Sequence, residues 1–169
     1  DPVILFLEQN RAGKTLGLIG TKQTINSGIY SQKAETLGKD IHIKSLATPL
    51  LAPMIEEGFF NHSISEQIIK EYLLQPVLQN IDGLILGCTH YPLIKKQIDQ
   101  FYQGSVEVID TSLIVANEIK RILHDEDLMN EGKTGGRQFF VSDYTDSFEK
   151  STQIFFGETI KLTQFPIWD

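Results

Sequence analysis

Four short apolar runs, each followed by a helical pattern, set the strongest limit on how this chain folds. "LGLIG" (16–20) opens into "TKQTINSGIYSQKAETL", and "IHIKSL" (41–46) leads into "ATPLLAPMIEEGFF". "DGLILG" (82–87) opens into "CTHYPLIKKQIDQFY", and "VEVID" (106–110) into "TSLIVANEIKRILHD". Strands alternating with helices predict an α/β fold, with a mainly parallel sheet between helical layers in a three-layer αβα arrangement. At 169 residues, the chain has length for one ordinary domain, or a domain plus part of another.

The helical patterns carry their own start and stop signals. Ser63 and Glu66 have the spacing of a capping box ahead of the stripe Ile64, Ile68, Ile69, Tyr72 and Leu73. Pro76 then ends or kinks that helix. After "VEVID", the residues Leu113, Ala116, Ile119, Ile122 and Leu123 recur at helical steps, with Thr111 or Ser112 as cap. Asp110, at the end of its strand, is placed to cap the same helix and is assigned no catalysis. Pro92 suits the first turn of a helix after the cysteine, where a missing N–H costs nothing. The stretch 124–136 has no apolar period and is expected to be a loop; "RQFFVSD" beyond it reads as a strand, "SFEKSTQIFFG" as a helix and "TIKLTQF" as a final strand.

Composition removes several functional classes. A net charge of −7 with no long Lys/Arg cluster makes nucleic acid and anionic membranes poor partners. No apolar run approaches the roughly 20 residues that cross a bilayer. The start, "DPVILFLEQNRAGK", lacks the basic segment of a signal peptide and an initiator Met, and reads as the interior of a longer protein. A single cysteine forms no internal disulfide, which suits a reducing cytoplasm.

That cysteine, Cys88, stands in "GLILGCTHYPLI" (83–94), between a strand and a helix. A lone cysteine is commonly a small buried hydrophobe. Here Gly87 before it and Thr-His-Tyr-Pro after it put it in a turn at the carboxyl end of a parallel strand, where open sheets bind ligands. A free thiol with a pKa of about 8.5 is only roughly 3% ionised at pH 7. A following helix N-terminus is expected to favour the thiolate. Thr89 and His90 are placed to hold an anionic ligand and exchange a proton with it. A zinc site is disfavoured, since C-x-H supplies two ligands where about four are usual, and His42, His62 and His124 lie in unrelated contexts.

"LGCTHYPLI" resembles the second cysteine motif of the glutamate racemases, in the aspartate/glutamate racemase superfamily. "LGLIGTKQTINSGIY" is similar to that family's G-T-x-x-T-x-x-S-x-x-Y segment, and "LATPLLAPMIEEG" to its C/T-P-L-x-x-P-x-x-E-x-G loop. "VEVIDTSLIVANEI" and "QFFVSDYTDSFEKSTQIFFG" resemble later segments, so the likeness spans nearly the whole chain. It implies cofactor-independent inversion at Cα of glutamate by two cysteines on opposite faces, with no metal or pyridoxal group. Cys88 is then one base, and His90 assists it. Thr89 lies at a substrate-binding position, while Glu56 is the acidic residue near the site's mouth, with Glu57 as a one-residue alternative. Thr21 and Thr24, beyond the first strand, are further candidates for binding the same ligand, or are simply a helix cap and a surface threonine.

The resemblance also implies what is absent: the other cysteine with its asparagine-threonine, and a D-S-G-x-G-G motif, all in a first domain upstream. Residues 1–110 are then the second αβ domain, and 111–169 return to complete the first. Such a chain alone would expose apolar surface and lack one base. Homodimers are common in the family. Three other readings stand beside this one. They are another superfamily racemase or isomerase (acting on aspartate, hydantoin or maleate), a non-catalytic module, and a cysteine hydrolase with His90 as base. Against the last, a thiol and an imidazole two residues apart in a turn are not expected to reach nucleophile–base geometry.

Overall fold

The apolar runs become one parallel sheet in the computed structural model, which describes residues 1–130, 132 and 135–167. Its strands are β1 (Thr15–Gly20), β2 (His42–Ala47), β3 (Gly83–Gly87) and β4 (Glu107–Asp110). They lie in the order β2-β1-β3-β4, every neighbouring pair parallel. Leu84, Ile85 and Leu86 in β3 are all 0% exposed, as expected of an inner parallel strand covered on both faces. Each contributes about 1.5–3 kcal/mol by burial.

Side chains alternate between two cores. Leu16, Leu18, Ile85 and Ile109 face a layer containing Leu7 of α1 (Pro2–Asn10) and Ala34 of α3 (Ile29–Thr36). Ile19, Leu84, Leu86 and Val108 face the opposite layer, with Ile55 of α4 (Leu51–Glu56), Ile69 of α5 (Ser63–Leu73) and Ile98 of α6 (Lys95–Tyr102). The fold is the expected three-layer α/β arrangement. Because the helices after β1 and after β3 pack on opposite faces, a crevice opens between the ends of these neighbouring strands.

Local details depart from the sequence reading in instructive ways. The first helix, α1, was not anticipated, although its signal is present: Asp1 caps it, accepting from Val3 N–H at 3.2 Å, and Pro2 opens it. The segment after β1 is two helices, α2 (Lys22–Asn26) and α3, because Gly28 has φ 63°, which glycine adopts without the usual side-chain penalty. Ser63 is the first helical residue of α5 rather than its cap. The reciprocal bond runs one residue earlier, from His62 N–H to Ser65 Oγ at 3.0 Å. Of the predicted α5 stripe, Ile69 and Leu73 are buried, whereas Ile64 is exposed. Pro76 follows the end of α5 and opens a short 3₁₀ turn.

The chain divides into two compact units, Asp1–Glu126 and Asp127–Asp169. The helix after β4, α7 (Thr111–Asp125), lies within the first unit. Its cap is Asp110, whose carboxylate accepts from Ser112 N–H at 2.9 Å. Thr111, one of the anticipated caps, instead donates to Leu86 O at 2.8 Å. The apolar stripe of α7 is not core: Leu113 is 61% exposed and Ile119 52%, and no residue of the helix is buried.

The loop expected over 124–136 begins after α7, and residues 131, 133 and 134 lie outside the described residues. In the second unit β5 (Phe139–Val141) pairs in parallel with β6 (Leu162–Gln164), and α8 (Asp146–Phe156) connects them. Phe139 and Phe156 meet edge to face, ring centroids 5.3 Å apart.

Where β1 and β3 end, their backbones come close. A Cβ on Gly87 would lie 2.9 Å from Ile19 O and 2.8 Å from Leu18 Cδ1. The carbonyl cannot rotate away without moving β1. Gly87→Ala is therefore expected to lower stability by about 1–3 kcal/mol in urea unfolding, as overpacking does. An unchanged midpoint would show that the strands have slack at that point.

Candidate active site

Each candidate residue follows the carboxyl end of a strand. Thr21 and Thr24 come after β1, Glu56 after β2, and Cys88, Thr89 and His90 after β3. Thr21 caps α2: its Oγ1 accepts from Thr24 N–H at 3.2 Å, and the two hydroxyl oxygens are 3.0 Å apart. The Thr24 methyl packs across the ends of β1 and β3, 3.3 Å from where a Gly20 Cβ would lie and 3.6 Å from that of Gly87. Thr24 therefore sits over the same crevice that Cys88 enters.

Cys88 is half-buried, and its sulfur lies 3.5 Å from His90 Nδ1. The far nitrogen of that ring, Nε2, lies 3.1 Å from Glu56 Oε1. The carboxylate only accepts, so it selects the tautomer with the proton on Nε2 and leaves the Nδ1 lone pair facing the thiol. Thiol, imidazole and carboxylate thus form one line of contacts along which a proton can move. Glu56, not Glu57, meets the imidazole; Glu57 is the C-cap residue of α4. Thr89 is exposed at the turn. The Cys88–His90 contact corrects the expectation that two residues of separation in a turn keep thiol and imidazole apart. The 3₁₀ turn at Tyr91–Ile94 winds the chain tightly enough to fold His90 back, with Tyr91 N–H donating to Cys88 O at 3.2 Å.

The electrostatics also differ from expectation. Burial raises the Cys88 thiol above its ordinary value and the Glu56 carboxylate adds to the rise, while the N–H groups of His90 and Tyr91 oppose it. The α-helix expected to favour the thiolate starts only at Lys95, after the 3₁₀ turn that holds Pro92. A raised thiol pKa keeps the proton on sulfur at neutral pH, so in this chain Cys88 rests as a proton donor.

Two residues the sequence reading passed over lie beneath this chain. Thr48 and Tyr91 are both 0% exposed, and their hydroxyl oxygens are 2.7 Å apart. Burial, opposed by the bond to Thr48, pushes the Tyr91 phenol up to about 12. A polar residue inside each of the quoted apolar motifs, "ATPLLAP" and "HYPLI", was the available signal. The other histidines are occupied elsewhere: His42 lies 3.0 Å from Asp40, His124 3.4 Å from Asp125, and His62 stacks on Phe59. Among the described residues no group of three or more His, Cys, Asp or Glu is arranged to hold a metal ion. No helix among them is long and apolar enough to cross a membrane. A groove of about 610 Å³ runs along β4 between α1 and α7, lined by Phe6, Val108, Leu113 and Arg121, and does not include Cys88.

The pH dependence of Cys88 alkylation by iodoacetamide reads this environment. Its midpoint in the 169-residue chain is expected above the roughly 8.5 of a free thiol. Glu56→Gln removes a negative neighbour that disfavours the thiolate, so it should move the midpoint down. A midpoint at or below that of free cysteine would contradict the burial argument.

Residues 2–119 match the Asp/Glu/Hydantoin racemase family. The chain is 40% identical over 165 residues to a glutamate racemase of Persephonella marina, an alignment covering 98% of this chain and 61% of that protein. It is 37% identical over 156 residues to a glutamate racemase of Sulfurihydrogenibium, covering 92% of this chain and 57% of the relative. Among solved structures, a glutamate racemase from Francisella tularensis in complex with D-glutamate superposes with a TM-score of 0.84 at 31% identity, over 99% of this chain and 61% of that one. A glutamate racemase isoform from Bacillus anthracis gives 0.87 at 28% identity, over 98% of this chain and 62% of that one. The chain thus spans about three-fifths of the length of these relatives, and the family match covers its four-stranded sheet and every candidate residue: it belongs to the Asp/Glu/Hydantoin racemase family.

Proposed function

We propose that the protein interconverts L- and D-glutamate by proton transfer at Cα, with Cys88 as one of two opposing bases. The observation that carries this reading is the Cys88–His90–Glu56 chain at the β1/β3 crevice, in a chain similar to glutamate racemases. The Cα proton of an amino acid is very weakly acidic. Its removal calls for a base shielded from water and for fixed donors toward the developing charge. Cys88 passes its own proton to His90 Nδ1 when it acts as base, and Glu56 stabilises the resulting imidazolium. In the reverse direction the thiol, held protonated by burial, donates to Cα. Thr89, Thr21 and Thr24 supply hydroxyl and N–H donors for the substrate carboxylates, and the reaction draws on no metal or organic cofactor.

The opposing base, in this reading, comes from a part of the racemase fold that this chain does not contain. The exposed stripe on α7 supports that view, since Leu113, Ile119 and Ile122 form the kind of apolar face that further protein covers. Residues 111–169 would complete that other domain, and the 169-residue chain by itself would not racemise. The product would be D-glutamate for bacterial peptidoglycan, made in the cytoplasm, by a monomer or homodimer.

In the intact protein, Cys88→Ala should reduce racemisation by at least about a hundredfold, the usual contribution of a positioned acid–base group, with the fold retained by circular dichroism. Interconversion of both enantiomers at the parental rate would refute the assignment. Substrate profiling separates family members: turnover of aspartate or a hydantoin with none of glutamate would transfer the reading to another racemase. One observation favours a second mechanism, since a thiol 3.5 Å from an imidazole is also the arrangement of a nucleophile and its base. Mass spectrometry of the protein with substrate decides between them. An acyl adduct on Cys88 supports nucleophilic chemistry, whereas proton transfer leaves the sulfur unmodified.

A further inference from the structure

Beneath the Cys88–His90–Glu56 chain, the ends of three strands are tied together by two buried hydroxyls. Thr48 follows β2 directly. Its N–H donates to Gly20 O, the last residue of β1, at 2.9 Å, and its hydroxyl donates to the same carbonyl at 3.2 Å. Tyr91, two residues after the turn's Thr89, reaches Thr48 with its phenol oxygen at 2.7 Å from Oγ1 and 3.2 Å from the carbonyl. The tie therefore runs from the residue before Thr21, through the residue that anchors α4, to the residue after His90. Thr48 O also accepts Leu51 N–H at 3.1 Å, at the start of the helix that ends in Glu56.

We infer that Tyr91 and Thr48 are positioning residues: their hydroxyl pair fixes the α4 segment against the Cys88 turn, and so sets the Glu56–His90–Cys88 alignment. Filling the core does not require the phenol. Tyr91 is enclosed by apolar neighbours, and a phenylalanine ring would occupy the same volume without a polar atom to desolvate. Nor does hydrogen-bond satisfaction of the rest require it. With the phenol removed, the Thr48 hydroxyl still donates to Gly20 O, and Thr48 O still accepts from Leu51, so no buried donor loses its acceptor. What disappears are the two contacts of the Tyr91 hydroxyl with Thr48, which join the α4 segment to the residue that follows His90. Glu56 and His90 lie on those two segments, and small displacements of such groups are costly to rate.

The inference rests on the racemase reading for its kinetic test and on the thiol alone for a second test. In the intact protein, Tyr91→Phe and Thr48→Val should each lower kcat for glutamate at least about tenfold, with KM changed less than about twofold. Thr48→Ser, which keeps the hydroxyl, should restore kcat. Alkylation of Cys88 at a fixed pH should be several-fold faster in Tyr91→Phe and Thr48→Val than in the parent or in Thr48→Ser, because the turn is no longer held. Parental kcat and parental alkylation in both variants would overturn the proposal. Loss of kcat that only follows loss of folded protein in thermal unfolding would overturn it too, assigning the pair to stability. If the intact parent does not turn over glutamate, the functional reading fails, and the alkylation series still tests the tether.

Discussion

The carboxyl edge of the sheet depends on how closely β1 and β3 approach where they end. Glycines at 20 and 87 face each other in register there, and a Cβ on Gly20 would lie 3.3 Å from Gly87 O. That closeness brings the loop after β1 and the turn after β3 to the same crevice. Helices leave the two strands toward opposite faces and so open a crevice between the strand ends. Thr24 lies across its rim, and Cys88 directly follows Gly87, because the backbones beneath them approach so closely. A bulkier residue at either position would push the two loops apart before any side chain of the site was altered.

On this platform the chemistry comes from short-range geometry. The tight 3₁₀ turn after β3 brings the His90 ring onto the sulfur two residues before it, and Glu56 reaches across from the end of α4. The carboxylate has two effects of opposite use: it fixes the imidazole tautomer that receives the thiol proton, and its charge discourages a resting thiolate. In the proposed mechanism the consequence is a thiol that ionises on demand, with its proton moving to a neighbour already aligned for it. This suits a group that must act as an acid in one direction and a base in the other.

Much of this was legible in the sequence because it is encoded locally. The run Leu84-Ile85-Leu86, closed by Gly87, specifies a strand buried on both faces, and Thr-His-Tyr-Pro after Cys88 specifies a turn. What was not legible depends on three-dimensional neighbours. No spacing rule distinguishes Glu56 from Glu57; the rotation of α4 does. The stripe on α7 has helical period but no buried residue, because periodicity reports an apolar face and not what covers it. Cap positions slipped by one at Ser63 and Thr111, where neighbouring polar residues compete for the same backbone groups. Thr48 and Tyr91 escaped notice because each sits within an apolar motif and acts only through the other.

The most direct measurement is a crystal structure of the intact protein with D-glutamate bound. The account predicts the substrate Cα within about 3–3.5 Å of Cys88 Sγ, the separation of reacting atoms in a near-attack geometry, with His90 still between the sulfur and Glu56. A substrate seated with its Cα turned away from Cys88, and the sulfur packed against aliphatic side chains, would contradict it.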